Sequence, residues 1–502
     1  MIRGEEFARM FEPAAIAVIG ASASSVAAGN RYIRHLKAFG YAGRIFPIHP
    51  SAKSVEGLEA FPNVSSVPIP IDYAYVAVAA AQVPDLLRTF AGRVRVAQVM
   101  SSGFGETKGG QALERELAQA ARDAGVRVVG PNCLGVYSPR GRVTFTERTS
   151  NEPGTVGIVC QSGGLGIDII RRGQNRGLRF SGLVTVGNCA DVKPSELIEY
   201  FLNAADTSVI GLYLEGVGDG RRLFEVLRAA RSRKPVVLLK GGRTAQGRRA
   251  AASHTGALAG NDEGWKALAA QTGVVAVDSL DSFLDALVAL QCLQLQQRPT
   301  RRVVLFGNGG GSSVLGTDAL VRAGFDVSAL DPGSVAALEA LRLPAGSSVN
   351  NPIDVPAGAL QQDEGRAAQR IVDILCSAQG VDALVMHINM TVVLSFRHID
   401  MLGNLIDAAL RARDAGSSRA HVVLVLRADG DADVEERRRE YRQRAVGAGI
   451  PVFDELIAAA NALGGVHHVE AFRERIGLTP RYVVGLASNR TTNPSSDLDG
   501  AS

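Results

Sequence analysis

Three times along this chain a short apolar run ends in a glycine- or serine-rich segment and then enters a helix-forming stretch. The first is Ala14-Ala-Ile-Ala-Val-Ile-Gly20 with Ala21-Ser-Ala-Ser-Ser25, followed by helix-forming residues 30–39. The second is Gly157-Ile-Val-Cys160 with Gln161-Ser-Gly-Gly-Leu-Gly166, followed by Ile167 to Arg172. The third is Arg302-Val-Val-Leu-Phe306 with Gly307-Asn-Gly-Gly-Gly-Ser-Ser313. Runs so short and so continuously apolar read as strands buried on both faces, the pattern of parallel sheets covered by helices. More such runs follow, among them Asp72-Tyr-Ala-Tyr-Val-Ala-Val78, Val94 to Met100, Val209 to Glu215, Ala383 to Ile388 and Val422 to Leu426. Strands alternating with helices predict doubly wound α/β units that bind ligand at the carboxyl ends of their strands. The first unit reads as Rossmann-like. The second and third echo each other and read as related folds, flavodoxin-like in order.

A chain of 502 residues is too long for one core, and about three domains are expected. The polar, turn-rich stretch Arg140 to Pro153 marks one boundary and the glutamine-rich stretch Gln291 to Thr300 the other. The expected domains are therefore 1–140, 150–292 and 300–465, and the Ser/Thr/Asn/Asp-rich residues 487–502 read as a disordered tail. No apolar run approaches membrane-spanning length and Met1-Ile-Arg-Gly-Glu-Glu lacks an apolar signal core, so a cytoplasmic protein without membrane association is predicted. Net charge is only +4, and basic residues are not interleaved with aromatics, which argues against nucleic-acid binding. Cys133, Cys160, Cys189, Cys292 and Cys376 form no CxxC pair and no metal spacing. Reduced thiols and no metal site follow.

Several residues stand out chemically. His254 lies among small residues in the Gly/Arg-rich stretch Lys240 to Asn261, after the apolar run Pro235 to Leu239. A neutral imidazole is a nucleophile that forms covalent intermediates, and a loop histidine that caps a turn is the alternative. Arg243, Arg248 and Arg249 upstream have the forked geometry that suits phosphate. Glu215 closes a strand, and a carboxylate beside an imidazole fixes its tautomer and raises its basicity. A glutamate that merely caps the following turn is the weaker alternative. Ser162, Gly163 and Gly164 begin the second unit's helix, where an anion is stabilised by unpaired N–H groups. Ser162 as a hydrolase nucleophile is argued against, because Cys-Gln-Ser-Gly-Gly is not G-x-S-x-G. The first loop, with Gly20 and Ser22, suits a pyrophosphate but is not G-x-G-x-x-G, which weighs against an NAD-binding oxidoreductase. Asp191 either orients a loop or takes part in chemistry.

Separate motifs in one order resemble a known family. Ser253-His-Thr-Gly-Ala-Leu-Ala-Gly260 is similar to the phosphohistidine loop of the nucleoside-diphosphate-forming acyl-CoA synthetases, relatives of the succinyl-CoA synthetase α subunit. Val18-Ile-Gly-Ala-Ser22, Pro50 with Lys53, Ser101-Ser-Gly-Phe-Gly-Glu106 and Gly130-Pro-Asn-Cys-Leu-Gly135 resemble that family's CoA-binding domain. Asn351-Pro-Ile-Asp-Val355 resembles its third-domain Asn-Pro-x-Asp loop, so the likeness spans roughly residues 10–465. The resemblance implies that Gly20 and Ser22 approach the CoA phosphates and Lys53 pairs with one. Ser101, Ser102 and Asn132 would border the thioester end. Ser162, Gly163 and Gly164 would hold phosphate on His254, oriented by Glu215. The implied reaction is reversible: acyl-CoA and phosphate give acyl phosphate and CoA, and phosphate passes through His254 to ADP, with a small carboxylic acid released. The family's ATP-grasp domain, which binds nucleotide and Mg²⁺, has no counterpart after Ala460, so a separate ATP-grasp β-type subunit in a heterotetramer is expected. The alternative is a non-catalytic regulator that binds CoA or acyl-CoA on the same fold. The acyl group and the choice of ADP over GDP stay open.

Overall fold

A computed structural model describes residues 2–255, 262–362, 366–414 and 420–478; the side chains of residues 2, 3, 6 and 252–255 lie outside the description. The first sheet runs, edge to edge, Arg44–Ile48, Ala15–Ile19, Ile71–Val76, Val94–Val99 and Arg127–Val129, all parallel. The second runs Val275–Val277, Val236–Lys240, Val209–Leu214, Val156–Cys160 and Phe180–Thr185 in parallel. The third runs Ile353–Asp354, Val303–Gly307, Ala383–Asn389, His421–Arg427 and Val452–Phe453. Counted within each unit in chain order, all three sheets read 2-1-3-4-5. The switch between the first and third strands opens a crevice at their carboxyl ends, and that is where ligands bind in such sheets.

The local reasons are ordinary. Every residue of Ala15–Ile19, Val156–Cys160 and Val303–Gly307 is buried, because helices cover both faces of each sheet. The helix Ala28–Phe39 turns Tyr32, Ile33, Leu36 and Phe39 inward at helical spacing and stops at Gly40, whose φ of 82° is left-handed. Tyr32 stacks on Tyr75 with ring centroids 4.1 Å apart. Fully burying a side chain of this size contributes about 2–3 kcal/mol, so truncating Ile33 would loosen this face first.

The units interlock. The strand Val136–Tyr137, ahead of the Arg140–Pro153 stretch, pairs antiparallel with Phe180–Thr185 and extends the second sheet. Asp191 of the second unit accepts from Arg127 Nε at 3.1 Å and from Val128 N at 2.8 Å in the first. Asp191 thus braces the second unit against the first. Glu470, fully buried, accepts from Gln296 N at 2.7 Å, from Thr300 N at 2.8 Å and from Thr300 Oγ1 at 2.8 Å. The polar stretch between the second and third units is thereby pinned to the last helix, Leu456–Arg475. Among the described residues no helix is long and apolar enough to cross a membrane.

Candidate functional site

The first cradle begins where Ala15–Ile19 hands over to Gly20, at φ 95°. A Cβ there would lie 2.2 Å from the carbonyl oxygen of Ala77, so only glycine allows the two strand ends to approach. Asn30, almost fully buried, organises the loop that follows. Its Oδ1 accepts from Ser22 N at 2.8 Å and Ala27 N at 3.2 Å, and its Nδ2 donates to Ser22 O at 2.9 Å and Glu56 Oε1 at 2.8 Å. The Ser22 hydroxyl accepts from Ser24 N at 3.2 Å and Ser25 N at 3.1 Å, so it shapes the turn from within. Lys53 is exposed; its carbonyl oxygen accepts from Ala60 N at 3.0 Å, and its ammonium makes no hydrogen bond or ion pair among the described residues. Ser101 lies at the carboxyl end of the fourth strand, where its hydroxyl donates to Val78 O, and Ser102 beside it is exposed. Asn132 takes a left-handed φ of 60°, which asparagine tolerates, and its N–H donates to Ser101 O at 3.0 Å. The predicted first-unit residues thus all follow the carboxyl ends of strands of the first sheet.

The second cradle sits on three neighbouring strand ends. Ser162 caps the helix Gly163–Asn175, its Oγ accepting from Leu165 N at 3.3 Å. Around Gly164 there is open space, with nothing within 4 Å of where a Cβ would stand. Gln161 Oε1 accepts from Glu215 N at 2.7 Å and Gly216 N at 3.1 Å, tying the next strand end to the helix start. Glu215 is buried, and Tyr213 donates its hydroxyl proton to Glu215 Oε1 at 3.0 Å. Burial first, and then the Glu215 charge, push the Tyr213 phenol up, so that proton stays in place. Lys240, on the third strand end, is a buried lysine whose Nζ donates to Glu215 O at 2.8 Å and to Gly241 O, with the Trp265 ring 5.5 Å away. Burial lowers its pKa and the neighbouring Glu215 partly restores it. Cys160 donates its thiol to Ser162 O at 3.0 Å, and burial pushes it up to about 12, so it serves as a brace and not a nucleophile.

One contact joins the two cradles. A Cβ on Gly163 would stand 2.9 Å from Leu134 Cγ, so the Gly130–Gly135 loop of the first unit rests on the second unit's helix start. The same loop is fastened by Thr185 Oγ1, which accepts from Leu134 N at 2.9 Å and Gly135 N at 2.8 Å. Leu134, Lys240 and Asn30 are site-building residues that motif reading missed. The signal for Asn30 is an asparagine in the first turn after a Gly/Ser loop; Lys240 ends an apolar strand where a lysine has no packing reason to be.

The stretch after Lys240 departs from its sequence reading. A loop is expected at His254, but Ala245–Thr255 is a helix, so His254 lies in the last turn of a helix that follows the third strand end. The His254 side chain and residues 256–261 lie outside the described residues. Arg243, expected to face phosphate, donates to Asp262 at 3.0 Å and pairs with Asp278, while Arg248 donates to Arg243 O at 3.0 Å. Their guanidinium groups are engaged by protein oxygens. In the third unit the matching helix start is filled by the chain itself. Asp354, from the Asn-Pro-Ile-Asp loop, accepts from Gly309 N at 2.8 Å ahead of the helix Gly310–Arg322. Among the described residues no His, Cys, Asp or Glu cluster could hold a metal ion.

Residues 14–139 match the CoA binding domain family, and residues 153–290 match the succinyl-CoA ligase like flavodoxin domain family. The acetate–CoA ligase (ADP-forming) II subunit alpha of Pyrococcus furiosus is 33% identical over 75% of this chain and 80% of its own length. The corresponding I subunit alpha from the same organism is 35% identical, over 69% of this chain and 76% of its own. Acetate–CoA ligase (ADP-forming) I of Archaeoglobus fulgidus is 31% identical over 91% of this chain, which spans only 62% of that longer protein. Among solved structures, a dinucleotide-forming acetyl-coenzyme A synthetase 1 from Ca. Korarchaeum cryptofilum, in complex with phosphate and ADP, superposes with a TM-score of 0.80 at 29% identity. That match covers 94% of this chain and 99% of the other. With its two cradles on consecutive doubly wound units, this chain belongs to the ADP-forming acyl-CoA synthetase family of the acetate–CoA ligase alpha subunits.

Proposed function

We propose that this chain is the α-type part of an ADP-forming acid–CoA ligase working through an acyl phosphate and a phosphohistidine at His254. The observation that supports the reading best is the contact of Leu134 with Gly163, which sets the thioester-bordering loop against an open helix start. Acyl-CoA held by the first cradle, through Gly20, Ser22 and Lys53, places its thioester at Ser101, Ser102 and Asn132. Inorganic phosphate at Ser162, Gly163 and Gly164 attacks the carbonyl carbon; the C–O bond forms, the C–S bond breaks and CoA leaves as thiolate. An imidazole nitrogen of His254 then takes the phosphoryl group from the acyl phosphate, and the carboxylate departs. The helix start stabilises the phosphate charge through its unpaired N–H groups and dipole. Glu215, held in place by Gln161 and Tyr213, orients the imidazole by accepting from its other nitrogen.

Transfer from His254 to ADP, with Mg²⁺, is assigned to an ATP-grasp β-type subunit, in a cytoplasmic heterotetramer. The subunit names of the Pyrococcus relatives support a second polypeptide, whereas the longer Archaeoglobus relative carries its additional length in one chain. The test is to incubate the purified chain with a panel of acyl-CoAs and labelled inorganic phosphate, with His254→Ala alongside. Acid-labile, base-stable label that depends on one acyl-CoA and is lost in the variant is expected. No label with any acyl-CoA, alone or with a candidate partner, would leave the regulator as the better account.

A further inference from the structure

Between the two cradles runs a second set of contacts that centres on Asn188. This residue sits in the loop after the strand Phe180–Thr185, on the second unit, and it reaches two loops and a helix of the first. Its Nδ2 donates to Glu106 Oε2 at 2.5 Å and to Glu114 Oε2 at 2.7 Å, which uses both of its protons. Its Oδ1 accepts from Asn132 Nδ2 at 3.4 Å, and its backbone N–H donates to Pro131 O at 3.0 Å. The two carboxylates in turn hold the loop that starts at Ser101. Glu106 Oε1 accepts from Gly103 N at 2.5 Å and Phe104 N at 3.2 Å, and Glu114 Oε2 accepts from Gly105 N at 3.0 Å. Burial would raise the Glu106 pKa, but the hydrogen bonds from Asn188 and the loop amides outweigh it and hold the carboxyl ionised.

One neutral amide therefore separates two carboxylates and fastens both the Ser101–Glu106 loop and the Gly130–Gly135 loop to the second unit. The donors that reach the two carboxylates in these hydrogen bonds are all neutral, and they lower the mutual repulsion of the pair. We infer that Asn188 is a positioning residue for the acyl end of the substrate. It sets the distance between the thioester and the phosphate cradle without touching either reactant. The inference rests on the proposed acyl-CoA and phosphate chemistry and adds to it a residue of the second unit that governs alignment.

Asn188→Ala removes both donors and leaves the carboxylates opposed. Asn188→Asp keeps the shape but adds a third acceptor. With the acyl-CoA that best labels the wild type, both variants should lose about 10–100-fold in the first-order rate of phosphohistidine formation, since misplacement near 1 Å costs about that much. KM for acyl-CoA and the dissociation constant for CoA should stay within about twofold, because Gly20, Asn30 and Lys53 are untouched. Unchanged labelling rates in both folded variants would overturn the inference. So would a parallel loss of CoA affinity, which would mark Asn188 as a support of the fold. If Asn188→Ala does not fold, Asn188→Asp decides by the same two readouts. A wild type that binds CoA but takes no label would instead overturn the phosphate-transfer reading, and the inference with it.

Discussion

At the scale of single residues, the site depends on positions where one atom more or less changes the outcome. Gly20 is the sharpest. Alanine there would have to hold a φ of 95° with its Cβ 2.2 Å from a carbonyl oxygen. Gly20→Ala should therefore cost about 2–3 kcal/mol and abolish CoA binding, as read by denaturant midpoint and calorimetric titration. Glu215 tests chemistry instead of shape. Its backbone is tied to Gln161 and its carboxylate receives Tyr213, so glutamine preserves the packing. Glu215→Gln should leave CoA affinity unchanged and slow His254 labelling about 10–100-fold, because a neutral amide orients the imidazole but supplies no charge to it. Equal loss of CoA binding would argue that Glu215 is a structural cap.

Among elements, the helix Gly163–Asn175 is the one on which the proposed phosphate binding rests. Ser162 satisfies a single N–H of its first turn, and the rest remain for a ligand. Ser162→Ala should cost about 1 kcal/mol of stability and raise the phosphate concentration needed for half-maximal labelling. If stability falls without any change in that concentration, the helix start is not where phosphate binds. The equivalent helix of the third unit makes the contrast clear, since Asp354 already occupies its start. Glycine-rich loops alike in sequence are thus unlike in availability, and the difference comes from a residue some forty positions away.

At the scale of the whole molecule, one carboxyl of the second unit feels the charges of Asp454 and Arg442 of the third. Asp285, on the helix Leu280–Cys292, accepts from Arg176 at 3.2 Å, and its side chain is only 14% exposed. Burial, only partly opposed by Arg176, pushes its pKa from 3.8 to about 6. A carboxyl whose folded pKa is raised stabilises the fold fully below its unfolded value and loses that contribution as pH rises through the folded one. The window is therefore between pH 4 and 6. Asp285→Asn imitates the protonated form, and Arg176 keeps Asp281 as a partner. Relative to wild type, the variant should gain stability progressively from pH 4 to 6 and hold a gain of about 1–3 kcal/mol above it, measured by denaturant titration at several pH values. A difference that does not vary with pH would rule out Asp285 as the titrating group.

What the sequence determined by itself was local and periodic. Buried strands, the glycine loops after them and the helix starts at Ser162 and Gly310 follow from apolar runs and residue conformational preference, which act over a few residues. The motifs named the family and picked out the residues proposed for the two cradles. Only the tertiary structure decided what those residues touch. Three sheets of the same order, the strand Val136–Tyr137 lent to the second sheet, and Leu134 resting on Gly163 all depend on pairs far apart in the chain. The same holds for Arg243, which looked like a phosphate ligand until Asp262 and Asp278 were found beside it, and for Asn188, which no motif singles out. A side chain's charge and size are written in the sequence, but its partners are set by packing between elements, and the partners decide whether it binds a ligand or holds the fold.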